Sequence, residues 1–166
     1  MSSTPDRPYA GDVTPQEAWQ TLQDDPRAVL VDVRTDAEWR YVGIPDTSAL
    51  GPDGPRRTVL VEWVSYPSGQ TNAHFVEQLR AALDDDAAGG DGADAADGGA
   101  DAGAPDRPLL FLCRSGVRSV AAATAATRAG LGRALNVLEG FEGDVGPDAH
   151  RGHAGWRAAG LPWRQA

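Results

Sequence analysis

The sequence predicts an α/β domain built on a mainly parallel sheet. Three observations point that way. Short apolar runs recur along the chain at Ala28–Val33, Thr58–Trp63, Leu109–Leu112 and Leu135–Leu138. The first is a short apolar run rich in β-branched residues, interrupted only by Asp32, and is best read as a strand buried on both faces. Helix-start signals and amphipathic stretches fall between the runs, and strands alternating with helices make a parallel sheet. At 166 residues the chain fits one domain spanning 1–166.

The elements follow in order. Residues 1–11 are polar with two prolines and read as a loose lead-in. Thr14-Pro15-Gln16-Glu17 places an N-cap, a proline at the first helical position and a capping-box glutamate, predicting a helix over 15–23 that Asp24-Asp25-Pro26 ends. The strand at Ala28–Val33 delivers Asp32 and Arg34 to its carboxyl end. Thr35-Asp36-Ala37-Glu38 repeats the capping box and opens a short helix through Tyr41, stopped by Gly43 and Pro45. A weak strand is predicted near Thr47 to Leu50, and Gly51–Pro55 is turn chemistry. Phe75, Val76, Leu79 and Leu83 share one face of a helix predicted over 72–83. A helix over 119–128, closed by Gly130, follows the Leu109–Leu112 run. The ending Trp156–Trp163 reads as a short helix whose tryptophans pack onto the domain.

Charge excludes some functions. The net charge of −9 comes largely from residues 84–106, which hold eight Asp and no basic residue. That segment carries almost nothing larger than Asp, so it cannot bury enough apolar surface to offset its chain entropy and reads as a disordered insert. Within it, Gly89–Asp97 nearly matches a calcium-binding nonapeptide, but Ala96 stands at the large apolar position and the next unit breaks the pattern. The remainder is close to neutral and has no clustered basic face, which argues against nucleic-acid binding. All 15 basic residues are Arg, a bias that suits a GC-rich bacterial coding sequence. No window reaches membrane-span length, and Met1–Asp6 lacks a basic region followed by an apolar one, so a soluble, cytoplasmic protein is expected. His150 and His153 lie in a Gly-rich loop without a partner at metal-ligand spacing, and no metal is expected.

Chemistry is expected at Cys113, the only cysteine. It stands where an apolar strand runs into the polar turn Arg114-Ser115-Gly116-Val117-Arg118-Ser119 and then into a helix. Ligands of parallel sheets bind beyond the carboxyl ends of strands, where the amides of the next helix converge. Such a turn aims successive N–H groups inward as an anion site, and the helix dipole favours a thiolate as the ground state near neutral pH. A free cysteine is most often a small buried apolar residue. Two arginines and a glycine within the next five residues favour a reactive one. Asp32 and Arg34 read equally as an ion pair at a strand end or as groups in the pocket.

Several motifs together resemble a known family. Leu30-Val31-Asp32-Val33-Arg34, Glu38-Trp39, Gly43-Ile44-Pro45, the Cys113–Ser119 turn, Gly140-Phe141-Glu142-Gly143 and the ending Gly155–Trp163 look like a single-domain rhodanese, in that order and over nearly the whole chain outside the insert. The resemblance implies a three-layer α/β/α domain with a five-stranded, mainly parallel sheet. It also implies a thiosulfate sulfurtransferase-type enzyme. Its cysteine, here Cys113, takes a sulfane sulfur from a small anionic donor such as thiosulfate, releases sulfite, and passes the sulfur from a persulfide to cyanide, a thiol or a protein acceptor, with no separate cofactor. The amides of Arg114, Ser115, Gly116, Val117, Arg118 and Ser119 would hold the persulfide, and Arg114 and Arg118 would attract the donor. Trp63 is a candidate wall of the pocket.

Loop length separates this chemistry from that of the related dual-specificity phosphatases, which have five residues between cysteine and arginine. Here four residues separate Cys113 from Arg118, a tighter ring that favours a single sulfur over a phosphoryl group. Family members often carry a histidine after the glycine of the Gly43 motif, where this chain has Ile44. With no second cysteine, any reductive release of the persulfide must use an external thiol. A persulfide-carrying or non-catalytic binding and sensing module is the alternative.

Overall fold

A computed structural model describes residues 8–88 and 106–165, with the side chains of 85–88 left aside. Most of the insert read as disordered, with its near-calcium motif, lies outside the described residues. The elements are β1 (Gly11–Val13), α1 (Pro15–Asp24), β2 (Val29–Asp32), α2 (Asp36–Tyr41), β3 (Ile44–Pro45), a 3-10 helix (Gly54–Arg57), β4 (Thr58–Leu60), α3 (Phe75–Ala88), β5 (Pro108–Leu112), α4 (Arg118–Arg128), β6 (Arg133–Val137) and β7 (Trp163–Arg164).

Five strands form one sheet in the order β1-β6-β5-β2-β4, and every pairing in it is parallel. Val29, Val31, Leu109, Phe111 and Ala134 face α3 and α4, where Phe75, Leu79, Leu83, Ala122 and Ala126 complete one core. Leu30, Leu110, Leu112, Leu135 and Val137 face the other way, onto Ala18 and Leu22 of α1 and onto Phe141 and Trp156. Each central strand is therefore buried on both faces, which is why its sequence is apolar without alternation. Three layers result, as the resemblance implies.

The two capping boxes form as the sequence predicts. Thr14 accepts from the Glu17 N–H while Glu17 reaches back to the Thr14 N–H, and Thr35 and Glu38 do the same for α2. The other end of α1 is closed from a distance. Buried Arg57 donates to the carbonyls of Leu22 and Asp25, each at 2.6 Å, and of Ala28 at 3.1 Å. No basic residue stands in the last turn of α1, so this guanidinium satisfies carbonyls the helix leaves open. Arg57→Ala should destabilise the fold by about 3 kcal/mol, read from urea midpoints, and Arg57→Lys should recover only part because it lacks the planar fork.

Four predicted elements differ. The helix predicted over 72–83 is α3, which runs on to Ala88 and takes in the first residues of the predicted insert. The lead-in runs at Gly11 into β1, a strand the sequence does not predict, which pairs with β6 in the register Gly11↔Leu135 to Val13↔Val137. The stretch Thr47 to Leu50 is a turn, because the Thr47 hydroxyl bonds the Gly54 carbonyl at 2.6 Å and the Leu50 N–H closes onto the Thr47 carbonyl. The nearby strand is β3 instead, paired antiparallel with β7. The chain end is thus a run of turns leading to a strand rather than a helix, held by the buried Trp156, whose indole N–H donates to the Pro162 carbonyl at 2.7 Å.

Candidate active site

The site forms where β5 ends. Its strand is buried at all five positions and flanked by β2 and β6, so Cys113 leaves the middle of the sheet. The register Asp32↔Leu112 brings the end of β2 alongside. Cys113 is 1% exposed. Its Sγ accepts from the Gly116 N–H at 3.1 Å and lies 3.3 Å from the Ser119 Oγ. Gly116 takes φ +99°, a turn that suits glycine and folds the loop back over the sulfur at the head of α4.

A second loop clamps the first from behind. The N–H of Phe141 donates to the Cys113 carbonyl at 2.8 Å, and those of Glu142 and Gly143 to the Arg114 carbonyl at 2.9 and 3.2 Å. The clamp is held in turn by the chain end, since the Trp156 N–H donates to the Gly140 carbonyl at 2.8 Å. The Gly140–Gly143 and Gly155–Trp163 motifs therefore serve the cysteine loop, although they lie far from it in sequence.

Arg118 does not present a free charge. Its guanidinium makes a bidentate pair with Glu38, at 2.9 Å to Oε2 and 2.8 Å to Oε1. Burial pushes the Glu38 carboxyl up, but the Arg118 guanidinium and the Thr35 N–H and hydroxyl outweigh it and hold it at about 2. Glu38 thus caps α2 and fixes the last residue of the cysteine loop with one carboxylate. The sequence signals only the first role. A basic loop residue needing a counter-ion was the one hint of the second.

Arg114 is exposed, and among the described residues its guanidinium meets no carboxylate. With Arg118 it borders a groove of about 390 Å³ whose other walls include Val42, Val64, Tyr66 and Pro67. Val117, at the loop tip, is 74% exposed. Ser115 is partly exposed in the same loop.

Asp32 and Arg34 form a buried pair behind the loop, in which the Arg34 Nη1 meets no hydrogen-bond partner among the described residues. Both side chains are fully buried, joined at 2.6 Å, with Arg34 also donating to the Gly43 carbonyl and lying 4.1 Å from the centre of the Phe141 ring. They link the end of β2 to the Gly43 carbonyl and to Phe141 of the clamp, away from solvent. Trp63 stands edge-on to Phe75 at 5.0 Å and packs against the α3 core rather than lining the groove. His150 and His153 are exposed, and His153 pairs with Asp148 at 2.7 Å. Among the described residues no group of three His, Cys, Asp or Glu side chains is placed to hold a metal.

A buried polar row runs from the sulfur to the sheet edge. The Ser119 Oγ donates to the Asn136 Oδ1 at 2.5 Å, the Asn136 Nδ2 donates to the Asp12 Oδ1 at 3.0 Å, and the Tyr9 hydroxyl donates to the same oxygen at 3.0 Å. Ser119 and Asn136 are 0% and 2% exposed. Sequence reasoning placed Ser119 in the loop but gave no sign of Asn136 or Asp12, which come from other strands.

A strand-turn-helix that folds around one buried sulfur, in a parallel sheet of this order, defines a cysteine-loop α/β protein. The chain belongs to the rhodanese-like family: residues 14–145 match the Rhodanese-like domain, and sulfur transfer is the family's chemistry. It is similar to the crystal structure of Rv0390 from M. tuberculosis, with 48% identity and a TM-score of 0.75 over 95% of this chain and 99% of that one. It is similar in fold to the polysulfide-sulfur transferase homodimer from Wolinella succinogenes, with 19% identity and a TM-score of 0.53 over 96% of this chain and 80% of that one. Among curated proteins it is 29% identical to the uncharacterized protein RC0915 of Rickettsia conorii over 148 residues, which is 89% of this chain and 92% of the relative. Among the described residues no helix is long and apolar enough to cross a membrane.

Proposed function

We propose that the protein is a sulfurtransferase that carries sulfane sulfur as a persulfide on Cys113. The thiolate attacks the outer sulfur of a small anionic donor such as thiosulfate, and a bond forms from Sγ to that sulfur. The donor's own S–S bond breaks, and sulfite leaves with the electron pair. The persulfide then yields its outer sulfur to cyanide, a small thiol or a protein thiol, and Cys113 returns. The sulfur rides on the protein itself, so no separate cofactor enters. A chain whose single thiol does the work suits a reducing compartment, the cytoplasm.

One observation carries this reading: a lone cysteine at the end of the central strand, with a loop N–H at 3.1 Å from its sulfur and a helix starting five residues on. The Gly116 N–H aimed at the sulfur and a helix N-terminus behind it suit a terminal sulfur anion, and the four-residue spacing to Arg118 leaves room for little more. The test is direct. After incubation with thiosulfate, mass spectrometry should find one added sulfur on the Cys113 peptide, and cyanide should remove it as thiocyanate over many cycles. A single load without turnover would instead mark a persulfide carrier, and no sulfur from any sulfane donor would sink the proposal.

Arg114 is the group for the donor's charge, since Glu38 already neutralises Arg118. Arg114→Ala should raise KM for thiosulfate about tenfold while kcat stays within about twofold, the pattern of lost binding shared by ground and transition states. A neutral donor such as a dialkyl trisulfide should be affected much less.

A further inference from the structure

We propose that Asp12 and Asn136 are positioning residues that fix the direction of the hydrogen bond at Cys113, so that the resting sulfur is a thiol donating to Ser119. The inference rests on the sulfur-carrier reading for its purpose, but its geometry is independent of that reading.

The argument starts at the sheet edge and moves inward. A carboxylate can only accept, so the Asn136 atom 3.0 Å from Asp12 Oδ1 is the amide nitrogen. That assignment turns the amide oxygen toward Ser119. An amide oxygen can only accept as well, so the contact at 2.5 Å is made by the Ser119 hydrogen. A serine has one hydrogen. With it committed to Asn136, Ser119 offers only a lone pair to the Sγ at 3.3 Å, and a thiol S–H is the partner that fits. Burial closes the alternatives at the inner end of the row, because Cys113, Ser119 and Asn136 are 1%, 0% and 2% exposed, while Asp12 at the outer end is partly exposed.

The nearby charges do not override this polarity. Arg118 is matched by Glu38 in a bidentate pair and Arg34 is matched by Asp32, while Arg114, which meets no carboxylate among the described residues, is exposed, where water and salt screen it. The Gly116 N–H is the donor that favours the ionised sulfur, and Ser119 as an acceptor opposes it. The sequence led us to expect a resting thiolate; the row points to a thiol held in reserve. Its effect is to slow reactions of the idle cysteine with stray electrophiles, while the Gly116 N–H remains for the loaded, proton-free sulfur.

Asp12→Asn gives the sharpest test. The new side chain can donate to Asn136, whose amide can then turn over and donate to Ser119, freeing the serine hydrogen for the sulfur. Because Cys113 is the only thiol, alkylation and the S–H stretch each report one site. Wild-type protein at neutral pH should show an infrared S–H band at a hydrogen-bonded frequency, absent from Cys113→Ser and shifted toward the free frequency in Ser119→Ala. Asp12→Asn should weaken the band and speed iodoacetamide alkylation about fivefold, the population change of one neutral hydrogen bond. In a Ser119→Ala background the same substitution should change the rate by less than about 1.5-fold, since the two act in series. No S–H band in the wild type, no rise in Asp12→Asn, or a rise that persists without Ser119 would each overturn the proposal. Should Asp12→Asn not fold, the band shift of Ser119→Ala decides. Sulfur loading separates the two readings: bands as expected with no persulfide on Cys113 would sink the sulfur carrier and leave this inference standing.

Discussion

Gly140→Ala will lose sulfur uptake by about a hundredfold and fold less stably by about 4 kcal/mol, because strain and collision act together there. Gly140 takes φ +62°, a conformation that L side chains adopt only with strain. Its missing Cβ would also strike the backbone of the cysteine loop: the Cys113 carbonyl, the Arg114 carbonyl carbon at 2.5 Å and the Arg114 oxygen at 2.6 Å. These are main-chain atoms on the strand end that carries Cys113, so no side chain can swing aside. Relief requires the loop to move, and a displacement near 1 Å is enough to lose a reacting geometry at about the hundredfold level. Gly130 is the control. It has φ +68° but nothing within 4 Å of a built Cβ, so Gly130→Ala should cost only about 1 kcal/mol and leave sulfur uptake intact. Urea midpoints and the mass of the thiosulfate-treated protein check both variants.

Glu38→Gln should destabilise the protein by about 2–3 kcal/mol at pH 7 and by progressively less in acid. Glutamine keeps much of the capping box, so the substitution isolates the charge that faces Arg118. The sign follows from the direction of the shift. The folded carboxyl sits at about 2, below its ordinary 4.5, so the ionised form is bound more tightly by the fold than by the unfolded chain. The stability it contributes is complete above about pH 4.5 and drains away as pH falls toward 2. Wild type and variant should therefore converge on acidification, and urea titrations at pH 7 and pH 3 measure the convergence. A gap that stays constant with pH would mean that the loss is one of packing. At pH 7 the variant leaves a half-buried guanidinium without its counter-ion, so the cysteine loop should also load sulfur more slowly.

What could be read from the sequence was what is encoded locally. Strand β5, and β2 as far as Asp32, are buried on both faces and therefore apolar without a break, and both capping boxes close within four residues. The cysteine loop was legible because a nucleophile, its arginines and its glycine are adjacent in the chain. The missed features depend on partners far away. Strand β1 is three residues long and exists because β6, more than a hundred residues later, offers it a ladder. β3 and β7 define each other in the same way, and the chain end follows the strand pairing rather than its helix-forming alanines. Glu38 and Arg118 are 80 residues apart, and each has a sufficient local explanation that hides the other. Asp32 and Arg34, left open between two roles, are both completely buried, which residue type cannot reveal.

The place of β1 in the sheet has a kinetic side. Cys113 hangs from a central strand with neighbours on both sides, so its backbone should be among the last to exchange amide hydrogens. Asp12 hangs from a three-residue strand at the edge, where opening costs least. The chain thus anchors the sulfur to its most durable ladder and the group that sets its proton to one of its most fragile. Fraying of a single edge strand, with the rest of the sheet intact, is then enough to change how the cysteine meets its surroundings.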